Sequence, residues 1–341
     1  TGLISTGITH SLQEMGADVL HYNRGQATQD LDVQPATMHG DRRDFEQFEA
    51  QMAEAGPIDC VIDMVCFTPE EAESAVRAFR GRTQQYIFCS TVDVYTKHPT
   101  SLPITEATQR KQSPSFPYAF NKGMCEQILE AAHERGDFPL TIIRPAYTYG
   151  EGRGILHTFR SGMYYLHRIR NGQPILVHGD GLSLWTACHR DDVGRTFAAA
   201  AGNSGTFGNA YHVAGEEWMT WDRYHREVAA AMDAPEPTLI HVATDSLMQA
   251  VPLDAEWAHE NFKYNNIFDN RAAQDDLGFE YTISWREGVR RCVDWLDARG
   301  LITDNDEPPF YDRLIKAAAT ADICLVTAMT DDRDQERSTF V

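Results

Sequence analysis

Tyr118-Ala119-Phe120-Asn121-Lys122 sets a phenol and an ammonium four residues apart, hence on one helical face. Such a pair is common, and its meaning comes from its flanks. Upstream, Tyr86-Ile87-Phe88-Cys89 reads as a strand that ends in Ser90-Thr91 and continues into Val92-Asp93-Val94-Tyr95. Downstream, the strand Leu140–Arg144 runs into Pro145-Ala146-Tyr147-Thr148-Tyr149-Gly150. Strand, helix, strand in that order is the signature of a parallel sheet with crossover helices.

The same alternation runs back to the start. Asp18–Tyr22 and Asp59–Phe67 read as strands, and Phe45–Ala55 as a helix. Another helix opens at Pro69, where Glu70 and Glu71 suit its positive end. The fold class is therefore α/β, a Rossmann-type doubly wound parallel sheet. Past Gly150 the alternation weakens and Trp, Tyr and His become frequent. That change marks a smaller, interleaved α/β substrate domain. Residues 1–148 and 187–214 are assigned to the dinucleotide domain, and 149–186 and 215–300 to the substrate domain. The remainder, 301–341, holds the acidic run Asp304-Asn305-Asp306-Glu307 and is expected to be a surface extension or partly disordered.

Thr1-Gly2-Leu3-Ile4-Ser5 before an amphipathic helix matches the back half of a glycine-rich phosphate turn. The pattern implies a first strand before residue 1, and Ser5 stands where a third glycine is usual. Gly2, Leu3 and Ile4 are the expected pyrophosphate contacts. At the end of the next strand, Asn23 offers no carboxylate to a ribose, whereas Arg24 can pair with a 2′-phosphate. This leans towards NADP over NAD; an ordinary solvated loop residue fits Arg24 equally well.

Bulk properties narrow the partners. Thirty Lys and Arg against fifty Asp and Glu give a net charge of −20, which disfavours phosphate backbones and anionic membranes. No apolar run approaches the roughly 18 residues needed to span a bilayer. Seven scattered cysteines without a CxxC suggest neither zinc nor a disulfide framework, and a reducing cytoplasm fits best. His157, His178, His189, His212 and His225 show no metal-ligand spacing, so no metal is expected.

The chemistry follows from the pair and its flanks. A free phenol titrates near pH ~10. A neighbouring Lys122 ammonium, with a positively charged nicotinamide, would favour the Tyr118 phenolate as a base. A hydroxyl at a strand's C-terminal end lies where open α/β sheets bind ligands. There Thr91 can hydrogen-bond an oxygen that alternates between alcohol and ketone.

Ser90-Thr91-x-x-Val94-Tyr95, Tyr118-xxx-Lys122 and Arg144-Pro145-xxx-Tyr149-Gly150, in this order and spacing, resemble extended short-chain dehydrogenases/reductases of the NAD-dependent epimerase/dehydratase family. Gly179-Asp180-Gly181, His189-Arg190-Asp191-Asp192-Val193 and Leu277-Gly278-Phe279 extend the likeness to about residues 1–298. The resemblance implies a bound NAD(P), with Thr91, Tyr118 and Lys122 as the catalytic set. It also places Asp41 at the adenine with Arg42 beside it, and Val65, Cys66, Phe67, Ser90 and Pro145 along the cofactor. Tyr149 is implied to be structural, and homodimers through the helices after Pro69 and around Tyr118 are usual in relatives.

The departures are informative. Relatives acting on nucleotide sugars place an Asn near Tyr147 and an Arg near Trp185, and sugar dehydratases follow the Thr with Asp-Glu where Val92-Asp93 stands here. The set points away from a nucleotide-sugar dehydratase and resembles an atypical subgroup that includes chloroplast stem-loop RNA-binding relatives. Asp93, Tyr147, His157 and Trp185 are the substrate-binding candidates. The expected function is an NAD(P)-dependent epimerase or oxidoreductase working on a secondary alcohol of a sugar-like substrate through a transient ketone. Plain alcohol/ketone oxidoreduction, and a non-catalytic NAD(P)-sensing or RNA-binding Rossmann protein, are the alternatives.

Overall fold

The computed structural model describes residues 2–26, 31, 33–111 and 113–320. Thr1 and the last part of the expected extension, 321–341, lie outside the described residues. The chain divides into two compact units. One comprises Thr1–Arg153, Leu184–Met219 and Tyr264–Cys292; the other comprises Gly154–Ser183, Thr220–Lys263 and Val293–Val341.

The first unit alternates helix and strand: α1 (Leu3–Glu14), β1 (Leu20–Asn23), β2 (Ala36–His39), α2 (Phe45–Glu54), β3 (Ile58–Asp63), α3 (Pro69–Phe79), β4 (Thr83–Cys89), α4 (Pro117–Glu134) and β5 (Leu140–Pro145). β3, β4, β5 and the strand Ala210–Val213 form one parallel sheet in that spatial order, and β1 pairs with β2 in parallel. This is the expected Rossmann-like arrangement.

Successive residues of a strand face opposite ways, and β4 feeds two cores accordingly. Tyr86 and Phe88 pack with Phe48, Phe79, Leu129 and Phe138 under α2, α3 and α4. Ile87 and Cys89 pack with Ile8, Val193, Phe197 and Tyr211 on the other face. Ala273, Leu277 and Phe279 join that second core, which is why 264–292 belongs with the sheet.

Three local features position the ligand edge. α3 begins where Pro69 indicated because Thr68 and Glu71 form a reciprocal capping box. β3 ends at Asp63, short of the expected Phe67: the Asp63 carboxylate accepts the Val65 amide at 3.0 Å and the Tyr86 hydroxyl at 2.5 Å, which turns the chain out of the ladder. α4 begins just before Tyr118, with Pro117 as its first residue.

α1 meets the helix Arg190–Ala200 backbone to backbone. A Cβ on Gly7 would stand 2.3 Å from the Arg190 carbonyl oxygen, and one on Gly194 would stand 2.3 Å from the Gly7 carbonyl carbon. The glycine that makes close packing possible on α1 is thus Gly7, two residues beyond Ser5. Gly194→Ala is expected to destabilise the protein by about 1–3 kcal/mol through overpacking. An unchanged urea midpoint would show that the two helices do not touch there.

The second unit has a parallel pair, Ile175–His178 with Leu239–Val242. Its core holds Phe159, Tyr164, Leu176, Leu247, Ala255 and Tyr311. The described part of the stretch assigned to the extension contributes to this core. Tyr311 is fully buried, and its hydroxyl accepts the Leu176 amide at 2.9 Å. The Asp306 carboxylate accepts the Met163 and Tyr164 amides at 2.8 and 2.9 Å, capping the helix Met163–Arg170, which has no cap of its own. Glu307 and Asp312 pair with the buried guanidinium of Arg168. The acidic run is spent on a helix end and a buried cation. Among the described residues, no helix is long and apolar enough to cross a membrane.

Candidate active site

The end of β4 gathers the principal groups. Thr91 caps the short 3-10 turn Val92–Val94: its hydroxyl accepts the Asp93 amide at 3.2 Å and donates to the Asp93 carboxylate at 3.1 Å. Tyr118, in the first turn of α4, shares a side-chain hydrogen bond with Thr91. Lys122, one turn on, is buried and donates to the Cys89 carbonyl at 2.7 Å. Its ammonium also lies 4.5 Å from the Phe67 ring centre and 4.8 Å from that of Phe88.

The side chains around Tyr118 act against its ionisation. Burial, then Asp93 and Cys89, push the phenol well above its ordinary range, and the Thr91 hydrogen bond offsets this only in part. The Lys122 ammonium is engaged with a carbonyl and two rings. In the free protein the phenol keeps its proton.

Most of the expected cofactor residues follow the C-terminal ends of strands. Gly2 precedes α1 with no side-chain cap, so the amides of its first turn, which includes Leu3 and Ile4, are left for other acceptors. Asn23 accepts the Gly25 amide on its side-chain Oδ1 at 2.7 Å, and Arg24 beside it is exposed. Asp41 accepts the Arg43 amide at 2.9 Å. Arg42 is buried over the Phe48 ring; it donates to the Glu71 carbonyl at 2.5 Å and pairs with Asp63, while its Nε and Nη1 have no hydrogen-bond partner among the described residues. Val65 and Phe67 are 45% and 42% exposed, whereas Cys66 between them is buried. Ser90 and Pro145 lie buried at the ends of β4 and β5. Uncapped amides, orphaned guanidinium nitrogens and an exposed apolar pair form a donor set that fits a dinucleotide.

The sequence model of the NAD dependent epimerase/dehydratase family matches residues 1–214. The chain belongs to that family. Among curated proteins it is 29% identical, over 220 residues, to the chloroplast stem-loop binding protein of 41 kDa b from Arabidopsis thaliana, covering 64% of this chain and 54% of that protein. It is 22% identical to the dTDP-D-glucose 4,6-dehydratase of Mus musculus, covering 64% of this chain and 57% of that one. The matched stretch thus spans little more than half of each. Among solved structures, an epimerase of Methanothermobacter thermautotrophicus aligns with a TM-score of 0.72 at 16% identity, covering 89% of this chain and 92% of that one. A UDP-glucose 4-epimerase of Thermotoga maritima, solved with UDP-glucose, aligns with a TM-score of 0.69 at 17% identity, covering 87% and 96%. At these identities the structural likeness concerns the fold.

In this member of the epimerase/dehydratase family, the motif residues Tyr95 and Arg144 are joined in a buried network. Arg144 holds Glu126 through two nitrogens at 2.8 and 2.9 Å and donates to the Tyr95 hydroxyl at 2.7 Å. That hydroxyl meets His212 Nε2 at 2.5 Å, and Arg110 pairs with Glu126 from the other side. Burial alone would raise the Glu126 carboxyl, but Arg144 overrides it and the group sits below the usual range. Sequence reasoning passed over Glu126, although it continues the 118–122 spacing by one more turn. Glu126→Ala leaves Arg144 buried and unpaired, with an expected loss of about 3–5 kcal/mol. Thermal unfolding measures it; a loss below about 1 kcal/mol would remove the network from the stability account.

The remaining substrate candidates are differently placed. Tyr147 is half-buried and stacks on Tyr149, which is itself buried with its hydroxyl 3.4 Å from the Ser284 carbonyl. Trp185 is buried in the first unit. His157 lies in the second unit, fully buried, with its ring stacked on Tyr165 and its Nδ1 accepting the Phe159 amide at 3.2 Å.

Proposed function

We propose that the protein is an NAD(P)-dependent enzyme of the epimerase/oxidoreductase kind, working on a secondary alcohol or ketone of a sugar-like substrate. The observation that carries this is the Thr91–Tyr118 hydrogen bond formed at the strand end beside Lys122. A bound nicotinamide would supply the carbon that accepts and returns hydride. Thr91 orients the substrate oxygen, and Tyr118 exchanges a proton with it. Because the phenol is protonated at rest, Tyr118 stands ready to donate to a ketone oxygen. Abstraction from an alcohol requires added positive charge near the phenol, which lowers the cost of its phenolate. Lys122, anchored on Cys89, keeps one cation in place. A ketone that stays bound and is reduced from its other face gives an epimer; one that leaves gives net oxidoreduction.

Arg24, exposed at the end of β1 and beside an Asn in place of an acid, supports a preference for NADP over NAD. The test is direct: denature the purified protein, identify any released nicotinamide, and screen free sugars, sugar acids and nucleotide sugars for hydride transfer. A protein that neither carries nor binds nicotinamide would sink the proposal. Similarity to a stem-loop binding protein favours a second reading, an RNA-binding scaffold. Tight RNA binding without hydride transfer would support it, against the net charge of −20.

A further inference from the structure

Lys97 stands two residues beyond Tyr95 on the loop that leaves the Thr91 turn. Its side chain is half-buried, and its ammonium donates to Asn266 Oδ1, its one hydrogen-bond partner among the described residues. Asn266 is fixed in turn: its amide donates to the Leu184 carbonyl at 2.8 Å and its Nδ2 to the Tyr264 carbonyl at 2.9 Å. The neighbouring His98 ring packs edge-on against Tyr264 at 4.6 Å. The loop is tied down further on, where Ile104 exchanges backbone hydrogen bonds with Ile267 and Asp269, both at 2.8 Å. Lys97 is therefore pre-positioned, not a swinging surface lysine.

Its charge is unbalanced. The acid that attracts it is Asp93, yet no ion pair joins the two, and the Asp93 carboxylate already accepts from Thr91. Burial pushes the Lys97 ammonium down to about 8, with Asp93 opposing, as expected of a cation facing a neutral amide. A half-buried ammonium held by a neutral partner gains most from an anion delivered by a ligand. Asp93 links the two: its carboxylate accepts from Thr91 and its charge acts on both Tyr118 and Lys97.

We infer that Lys97, held by Asn266, is a specificity-determining residue that takes a carboxylate or phosphate carried by the sugar close to its reacting carbon. The inference rests on the proposed sugar chemistry and narrows it to anionic sugars. It also explains how a protein of net charge −20 would admit such a substrate: one fixed cation beside the reacting oxygen offsets the repulsive field.

The probes are glucose, glucuronate and glucose 6-phosphate, each tested for binding by thermal shift and for hydride transfer with NAD+ and NADP+. Wild-type protein should bind at least one of the two anionic sugars about tenfold more tightly than glucose. The two anions separate a carboxylate site from a phosphate site. Lys97→Met should erase the preference, mainly through KM, and Lys97→Arg should restore part of it. Asn266→Asp, which supplies a competing carboxylate and leaves the lysine in place, should erase it too, so the result does not depend on one variant folding. Equal binding of anionic and neutral sugars by wild type, or a preference that survives both Lys97→Met and Asn266→Asp, overturns the inference. Anion binding that needs Lys97, with no hydride transfer from any sugar, would uphold the site and count against the proposed reaction.

Discussion

Tyr118→Phe should lower hydride transfer by about 10²–10⁴-fold while leaving nicotinamide affinity nearly unchanged. The substitution removes one oxygen and keeps the ring, so its packing beside Phe116 at 6.2 Å between centres is retained. What disappears is the proton exchanged with the substrate and the hydrogen bond to Thr91. The loss should fall on kcat, because the interaction is made chiefly as the oxygen changes charge. Residual activity should rise less steeply with pH than in the wild type, whose phenol must ionise against burial and Asp93 to act as a base. A change smaller than about tenfold would remove Tyr118 from the chemistry.

Acid should unfold the protein at mild pH. His157, His178 and His225 in the second unit, and His212 in the first, are buried without charge. Burial holds His157 and His212 down to about 3, His178 to about 4, and His225 well below its ordinary value. The unfolded chain takes up these protons near pH ~6.5 and the folded one does not. Each group therefore contributes stability that is complete above about pH 6.5 and is lost as pH falls towards the folded value, at about 1.4 kcal/mol per pH unit. By about pH 5 each histidine costs about 2 kcal/mol, and four cost about 8, comparable with the whole stability of about 5–15 kcal/mol. Urea unfolding at neutral pH and near pH ~5 measures this, and His157→Phe should flatten the dependence by about a quarter. Equal stability at the two values would mean that the four rings are not buried neutral.

Much of this was legible in the chain because it depends on local spacing. Tyr118 and Lys122 share a helix, and Thr91 ends a strand whose apolar run is plain in Tyr86–Cys89. The limits of β3 were not legible: Asp63 ends it by accepting from Tyr86, a residue on a different strand. Asn266 is 169 residues from the lysine it holds, so no spacing rule connects them. What acts on the phenol was not legible either: burial and the nearness of Asp93 and Cys89 follow from the fold and not from the 118–122 spacing.

The helix Met163–Arg170 takes its end cap from Asp306, 142 and 143 positions later in the chain. During synthesis that helix emerges long before its cap, and the Arg168 guanidinium waits as long for Glu307. At roughly 5–20 residues per second, the ribosome leaves both ends of this clasp apart for about 7–30 s. A nascent chain must therefore keep its second unit open through that interval, so completion of this unit waits for Asp306 and Glu307 to be translated.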